Sequence, residues 1–212
     1  MTTHVVRHRS DADRTRLSWY CGRVHASARP LALALVPDRL LSRALLVLGG
    51  TLLLALSAQL AIPLPGSLVP VTGQTFAVLL VGAALGARLG VGTVLLYIAE
   101  GAVGLPVFAP GATVGLARVV GPSGGYFAGF VLAAYVVGFL AERGLDRRPW
   151  TAALAMLAGE VAIYVVALPW LARFLPAERI IGAQLLPFIP GDLYKLALAA
   201  LALPIAWRIA RA

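Results

Sequence analysis

From Ala44 to Ala87 the sequence carries no charged residue. A helix needs about 20 mostly apolar residues to cross the hydrocarbon core of a bilayer, so this interval alone can supply two crossings. In lipid every backbone N–H and C=O must be satisfied within the protein, which leaves helices or a closed barrel as the only options. The rest of the chain agrees with the helical option. It is 60% hydrophobic and 13% charged, against about 25% charged for a soluble domain. There is too little polar surface to face water on all sides. The chain therefore reads as an all-α integral membrane protein.

Six transmembrane helices can be placed, over roughly 44–62, 73–87, 89–105, 123–141, 150–170 and 190–207. The weakest boundary is between the second and third, around Gly86–Gly90. Ahead of them lies a basic segment, 1–43, with eight arginines; residues 1–30 lack the apolar core of a signal peptide. It reads as a mostly disordered cytoplasmic tail, and 208–212 as a short cytoplasmic C-terminal tail. LALALV, 31–36, is too short to span. With both termini on one side, that side collects 14 arginines and the other three: Arg118, Arg173 and Arg179. The positive-inside rule then gives an N-in, C-in protein of the cytoplasmic membrane. The same rule accounts for the basic tail, so no nucleic-acid partner is called for. Trp150, Trp207 and Trp170 fall near the expected helix ends, where an interfacial aromatic belt would lie.

Several functions are excluded or disfavoured. Cys21 is the only cysteine, so no internal disulfide forms. His4, His8 and His25 also lie in the tail, which leaves the apolar body without Cys or His for zinc, haem or nucleophilic chemistry. No G-x-x-x-x-G-K-[ST] loop is present. A membrane enzyme acting on a lipid or isoprenoid would need clustered acids, a His or a Cys. Only Glu100, Glu160 and Asp192 are at hand, on three different helices. No cofactor and no catalytic activity are expected, and a binding or transport role is favoured.

The loops opposite the tail are long and rich in Gly and Pro: PLPGSLVPVTGQT (63–75), GLPVFAPGATVGLARVVGPSGGY (104–126) and LARFLPAERIIGAQLLPFIPGD (171–192). Irregular backbone near lipid is tolerated only where protein buries it or it lines a cavity. Three such loops on one side imply a capped ligand pocket. Asp192 and Lys195 open the last helix at this side, three residues apart and on one helical face. One reading is a helix start, with Asp192 capping free N–H groups and Lys195 pairing or snorkelling. The other is a clamp for a small molecule with an amide- or urea-like head and a carboxylate, because a carboxylate accepts N–H donors and an ammonium holds an anion. Tyr126, Gln74 and Glu100 are further pocket candidates, with Thr72 beside Gln74. Glu160 can make an interhelical bond, to Tyr97 or Tyr164.

FIPGDLYK fits F-x-P-G-D-x-x-K, and GLPVFAPG followed by GPSGGYFAGF fits GLPVFxxG…GP[ST]GGYxxGF. With IPLPGSLVPVTGQT these motifs resemble the BioY family, biotin-specific substrate-binding (S) subunits of energy-coupling factor (ECF) transporters. The resemblance covers roughly 44–207. It implies a vitamin-uptake protein that binds biotin in an outward-facing pocket. Its implied partners are a transmembrane coupling subunit, two ATPase subunits and the lipid bilayer. Asp192 and Lys195 match the family's Asp and Lys, and the resemblance implies substrate binding there. Asp192 is expected to accept the ureido N–H groups, and Lys195 to meet the carboxylate or brace Asp192. An S subunit for another small vitamin is the nearest alternative. One departure is visible: the first helix, ALLVLGGTLLLALSAQLAI, lacks the A-x-x-x-A at which a coupling subunit docks, and Gly49–Gly50 is expected to take its place.

Overall fold

The structure is a computed structural model and describes residues 30–210 other than 38 and 112. The expected disordered tail falls largely outside the described residues. Pro30 leads into a five-residue helix, α1 (Leu31–Leu35), and α2 (Leu40–Gln59) begins four residues earlier than expected. A two-stranded ribbon follows, β1 (Ala61–Ile62) against β2 (Val71–Thr72), antiparallel with Ala61 opposite Thr72. Then come α3 (Gln74–Ala102), α4 (Leu116–Val120), α5 (Gly124–Ala141), a 3-10 turn (Leu145–Arg147), α6 (Pro149–Leu171), α7 (Ala177–Gln184) and α8 (Ile189–Ala210). Five helices are long and apolar enough to cross a membrane: α2, α3, α5, α6 and α8.

The helix α3 is continuous in chain but not in direction. Gly86 sits at φ 81, ψ 175, a backbone region open essentially to glycine alone. Gln74 and Tyr97 would lie about 34 Å apart along a straight helix, yet the Gln74 amide donates to the Tyr97 hydroxyl at 2.7 Å. The two arms therefore fold back on each other. A Cβ on Gly90 would come within 3.1 Å of Gly82 Cα, so the arms pack backbone to backbone. The second arm needs a new N-terminus, and Glu142, just past the end of α5, supplies its cap by accepting the Ala87 N–H at 2.9 Å.

α5 is the central helix, packed against α3 on one side and α6 on the other, while α2 covers α3 and α8 covers α6. The core is largely Ala, Val and aromatic, with Leu79, Val137, Met156 and Ile163 near its middle. On α2 the leucines at 45, 48, 52 and 56 are exposed. At helical spacing they form one stripe facing away from the bundle, as a lipid-facing helix requires. Gly50 does not share that surface. A Cβ there would lie 2.6 Å from the Thr93 methyl, so it packs inward on α3 and only Gly49 is exposed.

All three Gly/Pro-rich loops gather at one end. Ser67 Oγ is 3.1 Å from Gln184 Oε1, and the Gln59 amide donates to Phe108 O at 3.2 Å. Ser67 also reaches Val69 O at 2.6 Å. The other end holds the Gly86 turn and the buried Trp207, whose indole N–H donates to Asp146. Arg147 lies 5.0 Å from the Trp207 ring centroid. The expected interfacial role thus fails for Trp207, which is an internal tie between α8 and the 3-10 turn. Trp150 is 84% exposed.

Candidate functional site at the loop end

Pro190 stands one residue into α8, a favoured position because its missing N–H has no partner to lose there. One turn on, Asp192 and Lys195 project toward α6 and α3. Lys195, the chain's single lysine, donates to Asp192 Oδ1 at 3.1 Å and to Thr75 Oγ1 at 2.9 Å. The other oxygen of Asp192 accepts the Tyr164 hydroxyl. These bonds tie α8 to both neighbours. Among the described residues Asp192 makes no capping bond to the backbone of its own helix, while Lys195 pairs with it as the helix-start reading also expected. At 10% and 16% side-chain exposure for Asp192 and Lys195, the pair is largely withdrawn from solvent and its attraction is little screened.

An inner cavity opens beside this pair. Lys195, Thr75, Gln74 and Tyr164 form its polar wall, and Tyr126, Phe127, Phe130 and Phe188 its aromatic wall. Val69 and Pro70 of the first loop close it from the loop end. Its open volume is about 30 Å³, room for one or two waters. A second, outer chamber of about 190 Å³ adjoins it and shares Pro70, Arg118 and Ser123 as wall.

The expected site residues fall into three groups. Lys195, Tyr126 and Gln74 line the inner cavity. Tyr126 donates to Gln184 O at 3.3 Å, and its ring stacks on Phe188 with centroids 6.3 Å apart. Gln74 is held between Thr72 and Tyr97, and Tyr97 donates on to Val107 O at 3.0 Å. Asp192 stands behind the wall: it orients Tyr164 and Lys195 and is not itself a lining residue. Glu100 lines neither cavity. It lies 60° around α3 from the inward-facing Tyr97 and is only half-buried.

Glu160 was expected to bond Tyr97 or Tyr164. Both tyrosines are committed elsewhere, and neither carboxyl oxygen of Glu160 has a partner among the described residues. It is nonetheless 95% buried, one turn from Tyr164 on the face toward α8.

Tyr164, Thr75 and Arg118 are among the wall residues that the sequence reading did not place in the site. Tyr164 and Thr75 were detectable as polar groups within apolar helices, but only contact across helices shows that they meet Asp192 and Lys195. Arg118 was counted only for topology. It is 9% exposed, and its Nη1 donates to Ala109 O at 2.7 Å and Thr113 O at 3.3 Å. Burial lowers the guanidinium from its ordinary value and the Tyr97 hydroxyl opposes the shift; it stays a cation, as arginine does in proteins.

The family model described as BioY family matches residues 28–212. The chain belongs to the BioY family. Among curated BioY proteins, a probable biotin transporter of Pyrococcus horikoshii is 40% identical over 131 residues, 62% of this chain and 76% of that one. A biotin transporter of Rhodobacter capsulatus is 39% identical over 170 residues, covering 74% and 88% of the two chains. Among solved structures, an S-component for biotin from an ECF-type ABC transporter superposes with TM-score 0.72 at 24% identity, over 84% of this chain and 95% of that one. That likeness is one of fold. BioY members are transport proteins, so neither the lipid-modifying enzyme nor any other catalytic reading is retained.

Proposed function

We propose that this chain is the biotin-binding S subunit of an ECF-type transporter and takes part in biotin uptake. The observation that carries the reading is the polar wall Lys195–Thr75–Tyr164, braced by Asp192 and facing four aromatic side chains in a cavity at the loop end. The ureido head of biotin is flat and polar, with an acceptor C=O and two N–H donors. Lys195 and Thr75 offer donors to the carbonyl. Tyr126 and Phe188 offer apolar faces to the bicycle. Gln74 supplies an amide on the same wall. The relatives that match over most of this chain are described as biotin transporters, which supports biotin over another vitamin.

The remaining parts of the reading follow from the sequence. The chain crosses the cytoplasmic membrane six times, the two arms of α3 counting as one crossing each, with both ends in the cytoplasm and the cavity outside. A transmembrane coupling subunit and two ATPase subunits drive transport. The coupling subunit meets the exposed face of α2 on the side of Gly49.

Equilibrium binding of labelled biotin to the purified, monodisperse protein in detergent tests the central claim. Nanomolar affinity is expected. A folded protein that binds no biotin at micromolar concentration refutes it.

A further inference from the structure

The turn that joins α5 to α6 is strongly basic, and its own acids do not offset it. Arg143, Arg147 and Arg148 follow one another within six residues, and all three are exposed. Arg88, also exposed, stands beside them, because Glu142 caps the neighbouring Ala87. The described acids at this end are Glu142 and Asp146, and both are spent inside the fold. Glu142 accepts the Ala87 N–H, while Asp146 is 1% exposed and accepts the Trp207 indole N–H. Among the described residues no carboxylate pairs with any of the four arginines.

A topology signal needs only the charges. Here two of them are also held in place by aromatic rings. The Arg143 guanidinium lies 3.2 Å from the centroid of Phe139 and donates to Phe139 O at 3.0 Å. Arg147 lies over Trp207. A ring on one side of a guanidinium leaves its other face and its remaining N–H groups outward, and those donors match two oxygens of a phosphate.

Two apolar stripes leave the same turn. On α6 Trp150, Leu154, Leu157, Val161 and Val165 are exposed at helical spacing. On α5 Tyr135 and Phe139 are exposed and stack on each other, with centroids 5.9 Å apart. From Trp150 to Val165 the stripe runs about 22 Å. One leaflet of the hydrocarbon core is about 15 Å deep, half of the whole, so an acyl chain can lie along it for its full length. Trp150 marks the start of the stripe beside the arginines, and an indole favours the depth of the lipid head groups.

We propose that the α5–α6 turn is a binding site for an anionic phospholipid. The phosphate sits on Arg143, Arg147 and Arg148, with Arg88 adding to the field, and the acyl chains lie along the exposed face of α6. An acidic protein surface matches the arginines but not the apolar stripe that continues from them into the hydrocarbon. The site is independent of the cavity at the loop end and of the ligand bound there.

The test uses the full chain purified in a non-ionic detergent. Phosphatidylglycerol and phosphatidylcholine with identical acyl chains are titrated in, with retained lipid read by native mass spectrometry and stability by thermal unfolding. The wild type is expected to bind phosphatidylglycerol about tenfold or more tightly than phosphatidylcholine, and to unfold at a higher temperature with it. Each arginine near an anionic lipid surface is worth about fivefold in affinity. R148Q is therefore expected to weaken phosphatidylglycerol about fivefold and R147Q/R148Q about 25-fold, with phosphatidylcholine unchanged. R179Q removes an exposed charge at the loop end and is expected to bind as wild type. Glycerophosphoglycerol, the head group without acyl chains, is expected neither to stabilise the protein nor to displace the lipid at millimolar concentration. Equal binding of the two lipids by wild type, equal losses in R179Q and R148Q, or a bare head group that reproduces the stabilisation each overturns the site. Should R147Q/R148Q fail to fold because Arg147 covers Trp207, R148Q alone decides.

Discussion

Asp192→Asn removes the negative half of the Asp192–Lys195 pair with almost no change in volume. Breaking a buried pair by deleting one partner costs about 3–5 kcal/mol, most of it from the charge left unpaired. Two features reduce that here. Lys195 keeps its bond to Thr75, and its side chain retains 16% exposure. About 2–3 kcal/mol is therefore expected. For a chain of this size each kcal/mol moves the unfolding temperature by about 2–4 °C, so Asp192→Asn lowers it by about 4–12 °C.

The double variant Asp192→Asn/Lys195→Met removes the stranded ammonium as well and is expected to regain most of the loss, because replacing a whole buried pair is often neutral. Biotin affinity behaves differently. It falls at least about tenfold in Asp192→Asn and does not return in the double variant, since Lys195 itself is gone. Thermal unfolding in detergent and equilibrium binding on the same preparations separate the two effects. If Asp192→Asn unfolds at the wild-type temperature, the pair does not hold α8 to its neighbours. If it also binds biotin at wild-type affinity, Asp192 does not position the site.

Two further substitutions test the frame around the cavity. Gly86→Ala forces a side chain into backbone at φ 81 and sets its Cβ 2.5 Å from the Glu142 carboxylate that caps Ala87; the backbone alone costs ~1–3 kcal/mol, so lower folded yield and a lower unfolding temperature are expected, and a wild-type value argues against the break in α3. Glu160→Met replaces a buried carboxyl that has no partner among the described residues; relieving a group whose unmet hydrogen bonding costs ~1–3 kcal/mol should leave the unfolding temperature unchanged or raise it by a few degrees, and a clear fall would mean that the carboxyl is engaged.

Membrane character and the helical class were legible in the chain because they depend on quantities a sequence displays directly. A run without charge from Ala44 to Ala87 can be stable only in lipid or fully buried. Arginine counts are set by position in the chain, and Asp192 and Lys195 are conspicuous in an apolar helix. The break at Gly86 was also foreshadowed, since Gly and Arg88 interrupt the apolar pattern there.

Hydropathy could not say which way a side chain points once helices pack. Gly50 and Gly49 are neighbours, yet one abuts Thr93 and the other is exposed. Glu100 and Glu160 looked alike in sequence; one lies outside both cavities, and the other is buried without a partner among the described residues. Trp207 fitted an interfacial belt and is instead bonded to Asp146 in the interior. Arg118 is separated by 77 residues from Lys195 and looks like an ordinary loop charge, and only the convergence of three loops turns it into a buried cation between two chambers. Composition and period set which segments enter the membrane, because each residue pays its own transfer free energy. Which polar groups meet one another depends on the crossing of several helices, a property of the assembled bundle that no single segment encodes.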